Sequence, residues 1–301
     1  MNPADLLATT LRQAASLMFV AYGGLFSYHV GVINIAMEAE MLAGAFAGLV
    51  VTAWTGSVEV GLLGAIVAAC LIGMIFSLLT EGLRANMVTA ALGLITLTTA
   101  LTRLLMWLIT GSRGAFVPQE LAPLPTVGIP LLSSVPLLQA FSGHSVLVYG
   151  AWMAWVFTSL LLYRTPLGLR IRSVGENPEA ARAIGLRIES VRVIAQLLCA
   201  VLCGLGGAQL SLGDLRLFTS GMTAGKGFIA LAAIYFGRGR PALTTLACLL
   251  FGFFDGLQAR LQLWTNIPPQ LTQMIPFLSV VMILVFISWR ETQRKARRRR
   301  A

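Results

Sequence analysis

Few side chains in this 301-residue sequence can do chemistry, and the sparse ones sit in telling places. Asn34, Glu38, Glu40, Arg103 and Asp255 each lie in or beside a long apolar run. An ionised side chain at mid-bilayer costs ~3 kcal/mol or more, so such residues face a bundle interior or a wet cavity. Asn34 and Glu38 fall together in "GVINIAMEAEM" (31–41), at an expected helix break. There, exposed backbone groups join an amide that both donates and accepts. That is the chemistry of binding a polar solute in passage. Arg103 and Asp255 fit a structural ion pair as well as they fit a path.

Other chemistries find little support. "SGMTAGKG" (220–227) invites a phosphate-loop reading, but Gly221 is one residue too close to Gly225, and Gly227 stands where Ser or Thr is needed. The chain therefore carries no ATP site of its own. Cys70, Cys199, Cys203 and Cys248 all lie inside apolar segments without a neighbouring His cluster, and read as small core residues, not metal ligands or disulfides. His29 and His144 are isolated, which suits loop or interfacial positions better than a proton relay. No catalytic pair is evident, so an intramembrane enzyme is disfavoured.

The elements that must position these groups are membrane helices. The sequence is 57% hydrophobic and 11% charged, with mean hydropathy +0.81. Soluble domains carry about 25% charged residues. The apolar runs are continuous and helix-length, without the alternation of barrel strands. The fold class expected is all-α: a polytopic integral membrane bundle of about 8–10 transmembrane helices, forming one domain over 1–301. Spans are expected near 11–28, 38–54, 60–80, 88–110, 146–163, 191–212, 223–237, 242–262 and 270–289. The first reads as a retained span, not a cleaved leader. The span at 223–237 is short and suits a half-helix or a buried position. Gly44/Gly48 and Gly252/Gly256 suggest close helix crossings.

Charge placement orients the bundle. Sixteen of the 22 basic residues fall at Arg84, between Arg164 and Arg192, at Arg238 and Arg240, and between Arg290 and Arg300. Loops rich in Lys and Arg face the cytoplasm. Counting crossings puts the segment 164–190, the turn 237–241 and the tail 290–301 on that side. The tail follows an apolar span, so it suits anionic lipid, not nucleic acid. Residues 111–145, with five prolines, form an irregular external loop, with room for a short interfacial helix. Whether residues 27–37 re-enter the membrane or form a simple loop is open, and with it the side of the N-terminus.

"GENPEAARAIGL" (175–186) is the polar exception. Asn177 suits an N-cap, Pro178 the first helical position, Glu179 the positive helix start and Gly185 a left-handed end. Read alone, it is either a connector or a docking handle of about two turns, ~10 Å long.

"VGENPEAARAIGLRIESVR" (174–192) resembles the cytoplasmic coupling segment of ABC-importer permeases of the ribose, nucleoside and branched-chain amino acid type. Three further stretches resemble the same group in order: "GGLFSYHVGVINIAMEAEMLAGAFAG" (23–48), "MTAGKGFIALAAIYFGRGRP" (222–241) and "LLFGFFDGLQARLQ" (249–262). The external "VGIPLLSSVPLL" is similar to a loop of the nucleoside-type members. The pattern is most like the second permease subunit of purine-nucleoside or simple-sugar importers. It departs at Ala36 and Ala39, where the group has glycine, and at Glu40, an extra acid.

The resemblance implies a type II ABC-importer-like fold and a permease subunit, not an enzyme, in a bacterial cytoplasmic membrane with a cytoplasmic C-terminus. It implies a second permease subunit, cytoplasmic ATPase subunits that hold ATP and Mg²⁺, and an extracytoplasmic solute-binding protein, with no cofactor bound directly. Gly175, Glu176, Asn177, Pro178, Glu179, Ala180, Arg182 and Gly185 would meet the ATPase. The substrate path would run past Asn34, Glu38, Phe228 and Asp255. Glu38 would accept from hydroxyls, and Phe228 would stack on a base or sugar face. A branched-chain amino acid permease is the alternative within the group. An ion-coupled secondary transporter is the alternative outside it, although it calls for an internal repeat and none is clear.

Overall fold

Apolar segments in lipid must satisfy their own backbone, and here they do so as helices. The computed structural model describes residues 3–111, 114–118, 121–128 and 141–264, with 274, 278, 279 and 282 as isolated positions. The expected span 270–289, otherwise than at those positions, and the basic tail 290–301 lie outside the described residues. So do Arg113, Pro130 and Pro136 of the external loop.

Among the described segments the helices are, in chain order, α1 (Pro3–His29), α2 (Met37–Thr55), α3 (Val58–Ser77), α4 (Met87–Thr110), α5 (Val146–Arg164), α6 (Pro166–Glu176), α7 (Pro178–Ala183), α8 (Ile188–Ala208), α9 (Lys226–Phe236) and α10 (Pro241–Trp264). π-helical turns extend α3 through Leu78–Gly82 and α8 through Gln209–Leu215. Among the described residues, six helices are long and apolar enough to cross a membrane: α2, α3, α4, α5, α8 and α10. The 27-residue α1 is also long enough to cross, and α9 is a shorter apolar helix of 11 residues. The protein is thus a multi-pass membrane protein of the expected helical class. Among the described residues the loops carry only two-residue strands. Ala115–Phe116 pairs antiparallel with Phe218–Thr219, and Thr126–Val127 with His144–Ser145.

The central helix is α1. Phe19, Tyr22 and Phe26 are buried completely or nearly so, and the Tyr22 hydroxyl meets Thr245 Oγ1 of α10 at 2.7 Å. α1 runs antiparallel to α8 and α10: Gly23 lies against Cys199 while Gly206 lies against Ser16, and Gly252 lies against Ala14. The end that carries α6 and α7 also gathers the last turn of α1, the start of α8 and the turn between α9 and α10. His29 Nε2 lies 2.9 Å from the Gly239 carbonyl, and Arg192 pairs with Glu81 at 3.1 Å. The start of α1 therefore lies at the opposite end, and α1 makes a full crossing. Residues 30–36 then fold back in. Asn34 reaches Cys199, which lies ~16 Å along α8 at 1.5 Å per residue.

Glycines permit these close crossings. A Cβ on Gly44 would sit 2.6 Å from Gly204 Cα, and one on Gly252 would sit 2.6 Å from Ala14 Cβ. Gly204 in turn lies against Ala65 of α3, and Gly207 against the Met41 carbonyl. The two expected small-residue pairs thus lie at helix contacts, as their spacing suggests.

Gly44→Val places two extra methyl groups and a Cβ against Gly204 backbone. Overpacking of this kind costs about 1–3 kcal/mol or more. The variant should melt several degrees lower in detergent, read by the loss of monodisperse protein on heating. Unchanged melting would remove α2–α8 contact as a source of stability.

Candidate translocation and coupling site

Two features that are separate in sequence meet in the structure: the break between α1 and α2, and the start of α9. At 1.5 Å per residue α9 is ~16 Å long, half of a ~30 Å hydrocarbon core. Its last turn lies at the α6–α7 end, through Gly239, so its first turn lies near mid-depth. The chain enters it through a left-handed kink, with Ala224 at φ 45° and Gly225 at φ 81°. The first amides of a helix have no partner within it. Glu38, in the first turn of α2, supplies one. Its Oε1 accepts from Thr223 Oγ1 at 2.6 Å and from the Gly225 amide at 2.9 Å, and its Oε2 accepts from the Gly227 amide at 2.7 Å. Glu38 is 6% exposed. A carboxylate against a helix N-terminus contributes about 0.3–1 kcal/mol at exposed sites and up to ~2 kcal/mol when partly buried.

The same contacts explain why "SGMTAGKG" is no phosphate loop. The amides of Gly225 and Gly227, which a phosphate would need, already face a carboxylate. A Cβ on Gly227 would lie 2.7 Å from Glu38 Cα, so close approach requires glycine there.

Asn34 is 1% exposed and is turned toward α2 and α8. Its Nδ2 donates to Glu40 Oε1 at 3.1 Å and lies 3.5 Å from Cys199 Sγ. Cys199 Sγ in turn reaches Glu40 Oε2 and Cys203 Sγ, each at 3.8 Å. Glu40, the acid that departs from the group's pattern, thus ends in a pocket made by the break and α8. The cysteines are fully buried there. Sequence reading singled out Asn34 and Glu38 but missed this set of partners. The i,i+4 spacing of Cys199 and Cys203 was the only available sign that α8 presents a weakly polar face.

Asp255 pairs with Lys226, not with Arg103 as the sequence allowed. Their side chains are 13% and 12% exposed, and Lys226 Nζ also lies 3.4 Å from Gln13 Oε1 of α1. Arg103 bonds instead to Ser220 Oγ at 3.1 Å. The reason is adjacency: α9 and α10 are neighbours, whereas Arg103 sits on an exposed face of α4. Nearby, Gln209 Nε2 donates to Asp214 Oδ1 at 3.3 Å within the π-helical turn that ends α8. Asp214 and Gln209 went unnoticed in the sequence because a π turn shifts the register that places them. Phe228 stands in the first turn of α9 and is 42% exposed.

At the α6–α7 end, the expected two-turn helix is present as α7. Asn177 Oδ1 accepts from the Ala180 amide at 3.0 Å, Pro178 opens the helix, and Gly185 is left-handed at φ 86°. Sequence reading missed α6, which ends at Asn177. The Thr165–Pro166 pair was its signal: Thr165 Oγ1 caps the Gly168 amide at 3.1 Å. α7 is anchored by one buried residue, Ala181, and leaves Glu179, Ala180, Arg182 and Gly185 exposed. Ile184 is 75% exposed beside them. Glu176 and Asn177 are exposed too. Gly175 faces the bundle: a Cβ there would overlap the His29 carbonyl oxygen and sit 3.1 Å from the Gly31 amide nitrogen. The polar segment therefore touches the break that leads to Asn34 and Glu38.

Residues 6–286 match the family model described as branched-chain amino acid transport system / permease component. The chain belongs to this permease family. It is 32% identical to the putative glucose ABC transporter permease protein TsgC13 of Haloferax volcanii, over 94% of this chain and 91% of that one. It is 31% identical to the guanosine ABC transporter permease protein NupQ of Bacillus subtilis and, likewise, to the nucleoside ABC transporter permease protein NupC of Lactococcus lactis. Both alignments cover 93% of this chain and 90% of the relative. No solved structure matches it. As a member of this family the protein is a membrane subunit of a transport system.

Asp255→Asn should destabilise this permease by about 3 kcal/mol, because it removes the carboxylate paired directly with the buried Lys226. The double change Lys226→Met, Asp255→Leu should melt much closer to the unchanged protein. Detergent melting curves of the two variants decide it; equal losses would mean that the pair carries no charge balance.

Proposed function

We propose that this chain is the permease subunit of an ABC importer for nucleosides or simple sugars. It would work beside a second permease subunit, with cytoplasmic ATPases and an extracytoplasmic solute-binding protein. The observation that carries the reading is α7. It is a short helix, capped at both ends, seated on Ala181 and presenting Ile184, Glu179 and Arg182 outward. A passive connector has no need of an exposed isoleucine flanked by charges. A cleft on an ATPase would cover it.

The charges support the orientation. Arg84, Arg164, Arg170, Arg172, Arg182, Arg187, Arg192, Arg238 and Arg240 belong to the segments gathered at the α7 end, which favours the cytoplasm for that end. The start of α1 is then external and the tail 290–301 cytoplasmic. Nucleotide closes the ATPases, α7 moves with them, and the bundle changes access. ATP and Mg²⁺ stay in the partner subunits.

The substrate class rests on the relatives at 31–32% identity, whose names specify glucose, guanosine and nucleosides. The solute path would pass the first turn of α9, where Phe228 is available to a base or sugar face. Asn34, Glu38 and Asp255 are engaged by protein groups and would shape the wall of that path.

The complex in proteoliposomes, with ATP inside and the binding protein outside, should take up labelled guanosine, ribose or glucose in preference to leucine. Leucine uptake alone would shift the reading to amino acids, and uptake without the ATPase would overturn it.

Ile184→Glu should reduce ATP-driven uptake by at least about tenfold, equivalent to ~1.4 kcal/mol, with the chain still folded. A cysteine at position 180 should crosslink to the ATPase. Full uptake by the variant together with no crosslink would exclude α7 as the contact.

A further inference from the structure

We infer that Glu38 is a positioning residue: it latches the re-entrant linker to the first turn of α9, so that movement of the α6–α7 segment is delivered to the middle of the membrane. This rests on the transport reading above but assigns a role that the reading does not contain.

Three contacts in series carry it. Gly175 of α6 lies on the backbone of His29 and Gly31, where no side chain can fit between. Backbone packed on backbone transmits displacement with little slack. The linker 30–36 is held at Asn34 by Glu40 and Cys199, so it cannot bend freely toward α8. Its far end is Glu38, which grips Thr223, Gly225 and Gly227 with both oxygens. Hydrogen bonds to an ionised acceptor are roughly twice as strong as neutral ones. The segment they hold is one that would otherwise be loose: a kinked approach with Ala224 and Gly225 in the left-handed region, leading to a helix start with unpaired amides.

A solute-contacting carboxylate would look different. It would keep one oxygen free and face open space. Glu38 has both oxygens occupied and is 6% exposed. Phe228, next to Gly227, is 42% exposed at this place. The latch therefore acts on the path through α9.

Glu38→Gln keeps the shape but loses the charge and one acceptor. Thr223→Val removes one donor, and Thr223→Ser restores it. Two measurements on the assembled complex test the latch. In hydrogen–deuterium exchange, Glu38→Gln should speed exchange across 223–229 by about tenfold or more, with α2 and α8 unchanged; unaltered protection there overturns the latch whatever the transporter carries. In proteoliposomes, Glu38→Gln should lower uptake at least about tenfold while binding-protein-stimulated ATP hydrolysis persists. Thr223→Val should be intermediate, and Thr223→Ser close to the unchanged protein. Parallel loss of uptake and hydrolysis would reduce Glu38 to a folding residue, and a change confined to the half-saturating solute concentration would make it a solute contact. If the unchanged complex shows no ATP-driven uptake, the proposed function fails, while the exchange measurement still decides the latch.

Discussion

A helix that begins inside a membrane has nowhere to put its first amides. That constraint organises this permease. α9 covers only about half of the hydrocarbon thickness, so its first N–H groups begin inside the membrane and need partners from the protein. The solution is a carboxylate brought in from α2. For Glu38 to reach that depth, α2 must start at mid-membrane, so the chain cannot run straight from α1 into α2. It has to leave α1 at the α7 end, return through residues 30–36, and restart. The break at 31–36 and the shortness of α9 are two sides of one arrangement.

The glycines follow from the same demand. Bringing a re-entrant linker and a half-helix into an apolar bundle leaves little room for side chains between α1, α2 and α8. Backbone approaches backbone at Gly44–Gly204 and at Gly207–Met41. At the α7 end, Gly175 makes the equivalent approach to His29 and Gly31. Rigid contacts thus continue from the exposed face of α7 to the buried carboxylate. A bundle packed in this way would move in pieces, because packed interiors have discrete arrangements and do not deform smoothly.

Much of this was readable in the residues. Hydropathy located the spans among the described residues because lipid selects strongly for apolar side chains. Asn177, Pro178 and Gly185 located α7 because capping is local chemistry, and their partners lie within a few residues. What failed was the pairing of polar side chains across the bundle. The sequence left Asp255 open to Arg103; only the adjacency of α9 and α10 assigns it to Lys226. Asn34 and Glu38 stood out in the sequence, but the three donors that hold Glu38 come from residues 223–227, far along the chain, and left no local mark. The π turns at Leu78–Gly82 and Gln209–Leu215 also escaped, since one extra residue in a turn leaves no compositional mark.

In the proposed mechanism the α7 face and the start of α9 move together because Glu38 joins them. Spin labels at positions 180 and 228 report on both ends, each measured against a third label at position 60 at the start of α3. Trapping the ATPases with nucleotide should change both distances by several ångströms in the unchanged complex. In Glu38→Gln, the distance to 180 should still change while that to 228 stays put. If 228 moves equally in both, the carboxylate does not carry the motion.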